Sequence, residues 1–424
     1  MSKFKRNVSW IFAGNVAHAF FQFLLNIYVA RVLTTEDYGL INYAASLIAF
    51  FSSIGTLGFN GVITKKFADD EEKKDEYIGS AAVYRLLFSI IAVIILQFVV
   101  RLAEPNNTIL HLVIFCQSLT IMFGSFDIII YWFRYKSQAK IVAILRLVAF
   151  AISALWRLLV LENSKNIVVY VLGVSVETIV FSVLLIIAFR KVSRGNLKFK
   201  NDSARNLIKM SYPFIFSSIL ATIYGQVDKL MLNTMIDKTA VAYYSVSLTL
   251  AGAISIIPQA LIEGFRPDIL SFRNTDMEKY RRRLMQLYGL VFWLCIAYCL
   301  FTTFFAKYII LVLYGEKYLP AVGSLSLIVW YTSFSYFGAI NNIYMVAENK
   351  IKWVQVTTFV GAIVNVILNY VFIPMFGVEG AALASLITQI ITNFALLAII
   401  PQLRENFIII VRGITFNGMI NKKS

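Results

Sequence analysis

Charge is scarce in this sequence: Asp, Glu, Lys and Arg together make up only 15% of its 424 residues. A soluble domain of this length carries about 25%, so an ordinary water-soluble globule is excluded. Histidine is scarcer still, with only His18 and His111, and the three cysteines, Cys116, Cys295 and Cys299, all lie in apolar runs. That inventory leaves no ligand set for a structural zinc and no disulfide framework. There is no HExxH and no glycine-rich loop ending in Gly-Lys-Ser/Thr, which removes zinc proteases and P-loop nucleotide hydrolases. What remains is apolar: 59% hydrophobic residues and a mean hydropathy of +0.73.

A helix needs about 20 apolar residues to cross the hydrocarbon core with its backbone polar groups bonded internally. About twelve such windows occur, at 10–32, 38–63, 80–102, 110–133, 141–161, 167–189, 210–235, 241–262, 284–313, 319–346, 352–373 and 379–400. They lack the period-2 pattern of membrane barrels. The expected fold is an all-α integral membrane protein of about twelve spans in two six-helix lobes. Its domains are 1–200, 201–400 and a cytoplasmic or interfacial tail, 401–424.

The formal net charge of +16 invites a nucleic-acid reading, but most of the cations sit in alternate connections between spans, where they mark the inner face. Both termini are therefore expected in the cytoplasm, with no nucleic acid as partner. The long first span has no small-residue cleavage site and reads as a retained helix rather than a signal peptide. The tail segment Phe407–Val411 is too short to span. It reads as interfacial, with Arg412, Lys422 and Lys423 at the lipid headgroups.

The chain also restates itself. A basic start, the run Trp10–Val32, the break Thr34–Asp37 and the run Tyr38–Ile63 have a counterpart in Lys209, Met210–Met235, Asp237–Thr239 and Val241–Ile262. Phe123–Ile129 resembles Phe337–Ile343, setting Asp127 opposite Asn341, and the same spacing pairs Lys136 with Lys350. Six spans per half, both halves starting inside, imply a repeat about an axis along the membrane normal.

Ionised groups at mid-membrane are costly and usually face a cavity or a partner. Arg85 in the third span and Lys229 in the seventh lie well inside the apolar runs, and Arg146 is close to the inner boundary of the fifth. These three are the candidate cationic lining for an anionic group. Asp127, Glu177 and Asp228 are the candidate carriers of a proton or Na⁺. Interhelical ion pairing competes with each assignment, and for Arg146 and Arg157, near opposite span ends, snorkelling is the leading alternative.

The run Asn365–Pro374, followed by Met375–Ser385, is one where a proline ends a span, two glycines shape a short turn and small residues allow close packing. It resembles the eleventh-to-twelfth-helix hairpin of polysaccharide exporters and lipid-linked-oligosaccharide flippases of the multidrug/oligosaccharidyl-lipid/polysaccharide superfamily. Leu313–Tyr318 with Ala321, Asp228, and Tyr38-Gly39 add to the likeness, which extends along the whole chain. It implies two lobes around a cavity that opens alternately to each side of the cytoplasmic membrane. The implied cargo is an undecaprenyl-diphosphate-linked oligosaccharide repeat unit for O-antigen, capsule or exopolysaccharide. Implied partners are membrane lipids, a polysaccharide polymerase and a chain-length regulator. The implied activity is transport rather than catalysis, with no cofactor beyond a coupling H⁺ or Na⁺. A multidrug cation antiporter of the same superfamily is the alternative, but it should prefer an acidic cavity, and in-span cations outnumber acids here. A membrane glycan polymerase would want a large external loop, and every outside connection is short.

Overall fold

The computed structural model describes residues 3–59, 62–193 and 196–415, without the side chains of residues 3–9, 11, 213, 214, 216 and 217. The side chains of Lys3, Lys5 and Arg6, and Arg194, Lys422 and Lys423, thus lie outside the described residues. Two compact units emerge, Met1–Gln226 and Val227–Ser424. The expected boundary at 200/201 falls where a helix begins, and most of that helix groups with the first unit.

The first unit contains α1 (Lys3–Val32), α2 (Thr35–Gly55), α3 (Ile63–Asp69), α4 (Lys74–Ala103), α5 (Thr108–Phe123), α6 (Ile129–Tyr135), α7 (Ala139–Asn163) and α8 (Ile167–Ser193). It also holds the larger part of α9 (Asn201–Met235). The second unit contains the end of α9, α10 (Lys238–Ala251), α11 (Ile256–Thr275), α12 (Met277–Leu313), α13 (Val322–Ala347), α14 (Ile351–Ile390), α15 (Leu396–Ile399) and α16 (Arg404–Ile414). No β-strand occurs among the described residues.

Helix starts follow local chemistry. In the two expected breaks, Thr34 Oγ1 accepts from the Asp37 amide at 3.1 Å and Asp237 Oδ1 from the Ala240 amide at 2.7 Å. Each satisfies an amide that the first helical turn leaves unbonded. Among the described residues, eight helices are long and apolar enough to cross a membrane, or nine if the pair Lys238–Ile254 and Ile256–Thr275, bent by 47°, counts as one. One of the eight, Ile351–Ile399, runs 49 residues and holds two of the expected spans. Pro374 and Gly377, at φ +60°, divide it, a backbone state that glycine adopts without a Cβ clash. The α13 helix does not meet the same test of length and hydropathy. Large apolar side chains stay exposed along the helices, up to Phe304 at 79%, as a lipid-facing surface requires.

The repeat is written into the turns. Ser137 and Asn349 adopt positive φ, as do Lys165 and Gly377, and the spacing is the same from 137 to 349 as from 165 to 377. At the first of these turns the Gln138 amide bonds the Phe133 carbonyl at 2.8 Å, and the Lys350 amide bonds the Met345 carbonyl at 2.7 Å. The structural counterpart of Lys350 is therefore Gln138, not Lys136 as the sequence spacing suggested. Unit 1 has two more residues between Asp127 and this turn than unit 2 has after Asn341, which moves the register.

In each unit, the segment after the sixth span docks on the third. In unit 1 the Lys198 amide bonds the Asp75 carbonyl at 3.0 Å, Lys200 N and Ser80 Oγ bond at 2.9 Å, and Tyr84 stacks on Phe199. A Cβ on Gly79 would come within 2.3 Å of the Lys198 carbonyl oxygen, so only glycine allows this approach. In unit 2, α16 lies on α12, and a Cβ on Gly413 would meet the Met285 carbonyl oxygen at 2.7 Å. The tail expected at an interface is thus partly core: Asn406, Ile409 and Ile410 are buried, while Ile408 and Val411 on the same helix stay exposed.

Candidate functional site

In unit 2, Asp228 is 5% exposed and closely bonded. Asn369 Nδ2 donates to its Oδ1 at 2.6 Å, Ser385 Oγ donates to Oδ2 at 2.6 Å, and the Tyr244 hydroxyl donates to Oδ2 as well. Asn369 Nδ2 also reaches Asn365 Oδ1 at 3.1 Å, and Asn365 Nδ2 reaches Ser385 Oγ at 3.1 Å. Helical spacing explains the set, because Asn365 and Asn369 stand four apart on one face of α14. Every direct bond to this carboxylate comes from a neutral group. Asn369 Oδ1 is buried with no hydrogen-bond partner, so the cluster also holds a free acceptor. Carboxylate, amide and hydroxyl oxygens together are the donor set of hard cations such as Na⁺. Lys229, the next residue along α9, is half-buried.

In unit 1, Glu177 has different company. Arg157 Nη2 donates to Glu177 Oε2 at 3.2 Å, and His18 Nε2 lies 2.8 Å from Glu177 Oε1. Phe150 packs against both bases, with the His18 ring edge-on at 5.1 Å and the Arg157 guanidinium over its face at 5.6 Å. Arg157 is 1% exposed. The snorkelling reading of Arg157 is therefore wrong: an acid on the neighbouring helix α8, with which α7 packs closely, repays its desolvation.

Arg85, Asp127 and Arg146 form a second charged group in unit 1. Arg85 and Arg146 both lie close enough to act on the Asp127 charge. Arg85 is 4% exposed, and its Nη2 donates to the Gly124 carbonyl at 3.1 Å. That carbonyl opens the 3-10 stretch Gly124–Ile128, which interrupts the fourth span and carries Asp127. Arg85 Nε and Nη1 and Asp127 Oδ1 are buried without hydrogen-bond partners. Arg146 covers the Phe181 ring at 5.1 Å and, with Gly14, Asn15, Arg134 and Ala143, lines a small cleft.

Within unit 1, then, three of the residues singled out from sequence come together, while Glu177 is tied to Arg157 and His18. Sequence reading missed Asn365, Asn369, Ser385 and Tyr244 as partners of Asp228. Their signal was present, since amides four apart inside an apolar span need a polar partner.

The family model described as polysaccharide biosynthesis protein matches residues 4–262. The chain belongs to that family. A second model, MatE, matches residues 213–371. A probable flippase, AglR, from Haloferax volcanii is 24% identical over 95% of this chain and 84% of its own length. The capsular polysaccharide biosynthesis protein CapF of Staphylococcus aureus is 22% identical over 91% and 96%. The fold is shared with the lipid II flippase MurJ (TM-score 0.72, 16% identity, 94% of this chain and 90% of that one). It is shared as well with a multidrug resistance MATE family transporter of the MOP superfamily (TM-score 0.67, 13% identity, 93% and 96%).

Proposed function

We propose that this protein is a flippase that moves a lipid-linked glycan across the cytoplasmic membrane for surface polysaccharide synthesis. The cargo is an undecaprenyl-diphosphate-linked oligosaccharide repeat unit, and the path is alternating access between inward- and outward-open states. Arg85, Arg146 and Lys229 line the cationic cavity that receives the cargo. A polysaccharide polymerase and a chain-length regulator are the downstream partners. No bond in the cargo is made or broken.

The observation that carries this reading is Arg85, a buried guanidinium within an apolar span with two nitrogens unbonded, in a chain of the polysaccharide biosynthesis family. A structural arginine would use those donors on the protein, whereas one that serves a passing cargo keeps them free. Asp228 is the favoured coupling site, because its neutral donors and the free acceptor of Asn369 suit a monovalent cation or a proton. Asp127 and Glu177 are secondary candidates, and Glu177 is already neutralised by Arg157.

The test is impermeant, sugar-specific labelling of spheroplasts with and without this protein. The expected result is loss of outer-leaflet glycan label while the lipid-linked precursor accumulates inside. Unchanged labelling in cells with no second transporter would overturn the reading and turn attention to drug efflux, the activity that the MatE match would favour.

A further inference from the structure

Arg85 and Asp127 carry opposite charges, feel each other's fields and yet form no hydrogen bond with one another. Arg85 Nε and Nη1 are left as donors and Asp127 Oδ1 as an acceptor, all buried. Leaving buried polar groups unmet is costly, so an arrangement built for packing alone would close them into a salt bridge. Two features hold them apart. Arg85 Nη2 is anchored on the Gly124 carbonyl, and the 3-10 geometry of Gly124–Ile128 sets where Asp127 sits. Ser89 Oγ and Ser125 Oγ, 3.2 Å apart, brace α4 against the same stretch.

The group that satisfies both sides must offer an acceptor to Arg85 and a donor to Asp127. A diphosphate offers acceptors only, and its charge is repelled by the carboxylate. A sugar ring offers both, because each of its hydroxyls is a donor and an acceptor. Resting on the flippase reading above, we infer that Arg85 and Asp127 form a sugar-reading subsite in unit 1. Its substrate is a sugar ring with adjacent acceptor and donor groups, and it reads the glycan rather than gripping the diphosphate.

The test uses the full chain in detergent and three probes: undecaprenyl diphosphate, the same lipid bearing one N-acetylglucosamine, and the same lipid bearing one glucose. Wild type should bind both sugar-bearing lipids about tenfold more tightly than undecaprenyl diphosphate, the scale set by leaving buried polar groups unpaired. Asp127→Leu and Arg85→Lys should lose that preference while their affinity for undecaprenyl diphosphate stays within about twofold. Asp127→Asn, which keeps the shape and an acceptor, should retain part of it and serves as the folded control. Equal weakening toward all three lipids in Arg85→Lys would overturn the subsite, as would a wild type that binds all three equally; the flippase reading would survive both results. Failure of wild type to bind any of the three would count against the flippase reading itself.

Discussion

The two halves place polar groups on corresponding helices and reach opposite electrostatic solutions. At the spacing fixed by the matching turns, Ser153 corresponds to Asn365, Arg157 to Asn369 and Gly173 to Ser385. In unit 1 this position on α7 and α8 holds an internal ion pair, Arg157 with Glu177, and His18 joins from α1. In unit 2 the corresponding surfaces of α14 hold amides and a hydroxyl around one acid, Asp228, supplied by α9. A buried carboxylate beside a guanidinium is already compensated. One surrounded by neutral donors has charge left over for a mobile cation or proton. The duplicated scaffold therefore holds a charge pair in one half and a carboxylate bonded by neutral donors in the other.

That contrast is broken most severely by removing one partner of the pair. Arg157→Leu leaves Glu177 beside Phe150 with only His18, and thermal unfolding in detergent should show a loss of about 2–3 kcal/mol. This is below the ~3–5 kcal/mol of a fully buried pair because Glu177 keeps some exposure. Adding Glu177→Gln to Arg157→Leu should restore most of that loss, since the orphan charge is gone. Were the double variant no more stable than the single, the ion-pair account of unit 1 would fail.

The converse holds for Asp228. Asp228→Asn should change stability by less than about 1 kcal/mol, because the amide oxygen still accepts from Asn369 and the amide NH2 can donate to the Ser385 and Tyr244 hydroxyls, which accept as well as donate. Outer-leaflet glycan exposure should nevertheless fall at least tenfold, about 1.4 kcal/mol on the rate, together with any dependence on Na⁺ or pH. Full transport by this variant would remove Asp228 as the coupling site.

The clamps on the third span of each half give a smaller effect. Gly79→Val drives a side chain into the Lys198 carbonyl and should cost about 1–3 kcal/mol. Trypsin should then cut faster after Lys198 and Lys200, whereas the equivalent change in unit 2, Gly413→Val, should leave those sites protected. Equal cleavage in both variants would mean that the segment is not held by α4.

The smallest effect concerns the turn that follows α13. Burial pushes the Glu348 carboxyl up, but hydrogen bonds from Arg273 and Tyr280 and the charges of Arg273 and Lys350 bring it net below the usual carboxylate range. A lowered folded-state value means that the stabilisation is present above the unfolded carboxylate value, near 4.3, and is lost as pH falls through the folded one. Wild type should therefore lose about 1 kcal/mol relative to Glu348→Gln on going from pH 6 to pH 3. A parallel pH profile for the two proteins would show that the Arg273–Glu348 pair contributes nothing to unit 2.

Composition and hydrophobic run length determined, without any structure, that this chain is a helical multi-pass membrane protein built from two similar halves. Backbone groups in hydrocarbon have no other way to be satisfied, and that rule acts on every residue of a span. Sequence also picked out Arg85, Asp127, Glu177 and Asp228, because a charge inside an apolar run is visible one residue at a time. Which charges are paired, and with what, depends on rotation and depth of helices far apart in sequence, and only the tertiary structure decided it. Arg157 looked like a span-end snorkeller until α8 brought Glu177 to it, 20 residues further along the chain. Asp228 drew its partners from α10 and α14, 141 and 157 residues away in the case of Asn369 and Ser385. The register of the repeat was legible in Phe123–Ile129 and Phe337–Ile343 but misleading at Lys136 and Lys350. Two additional residues in one half shift a turn without leaving a mark in composition.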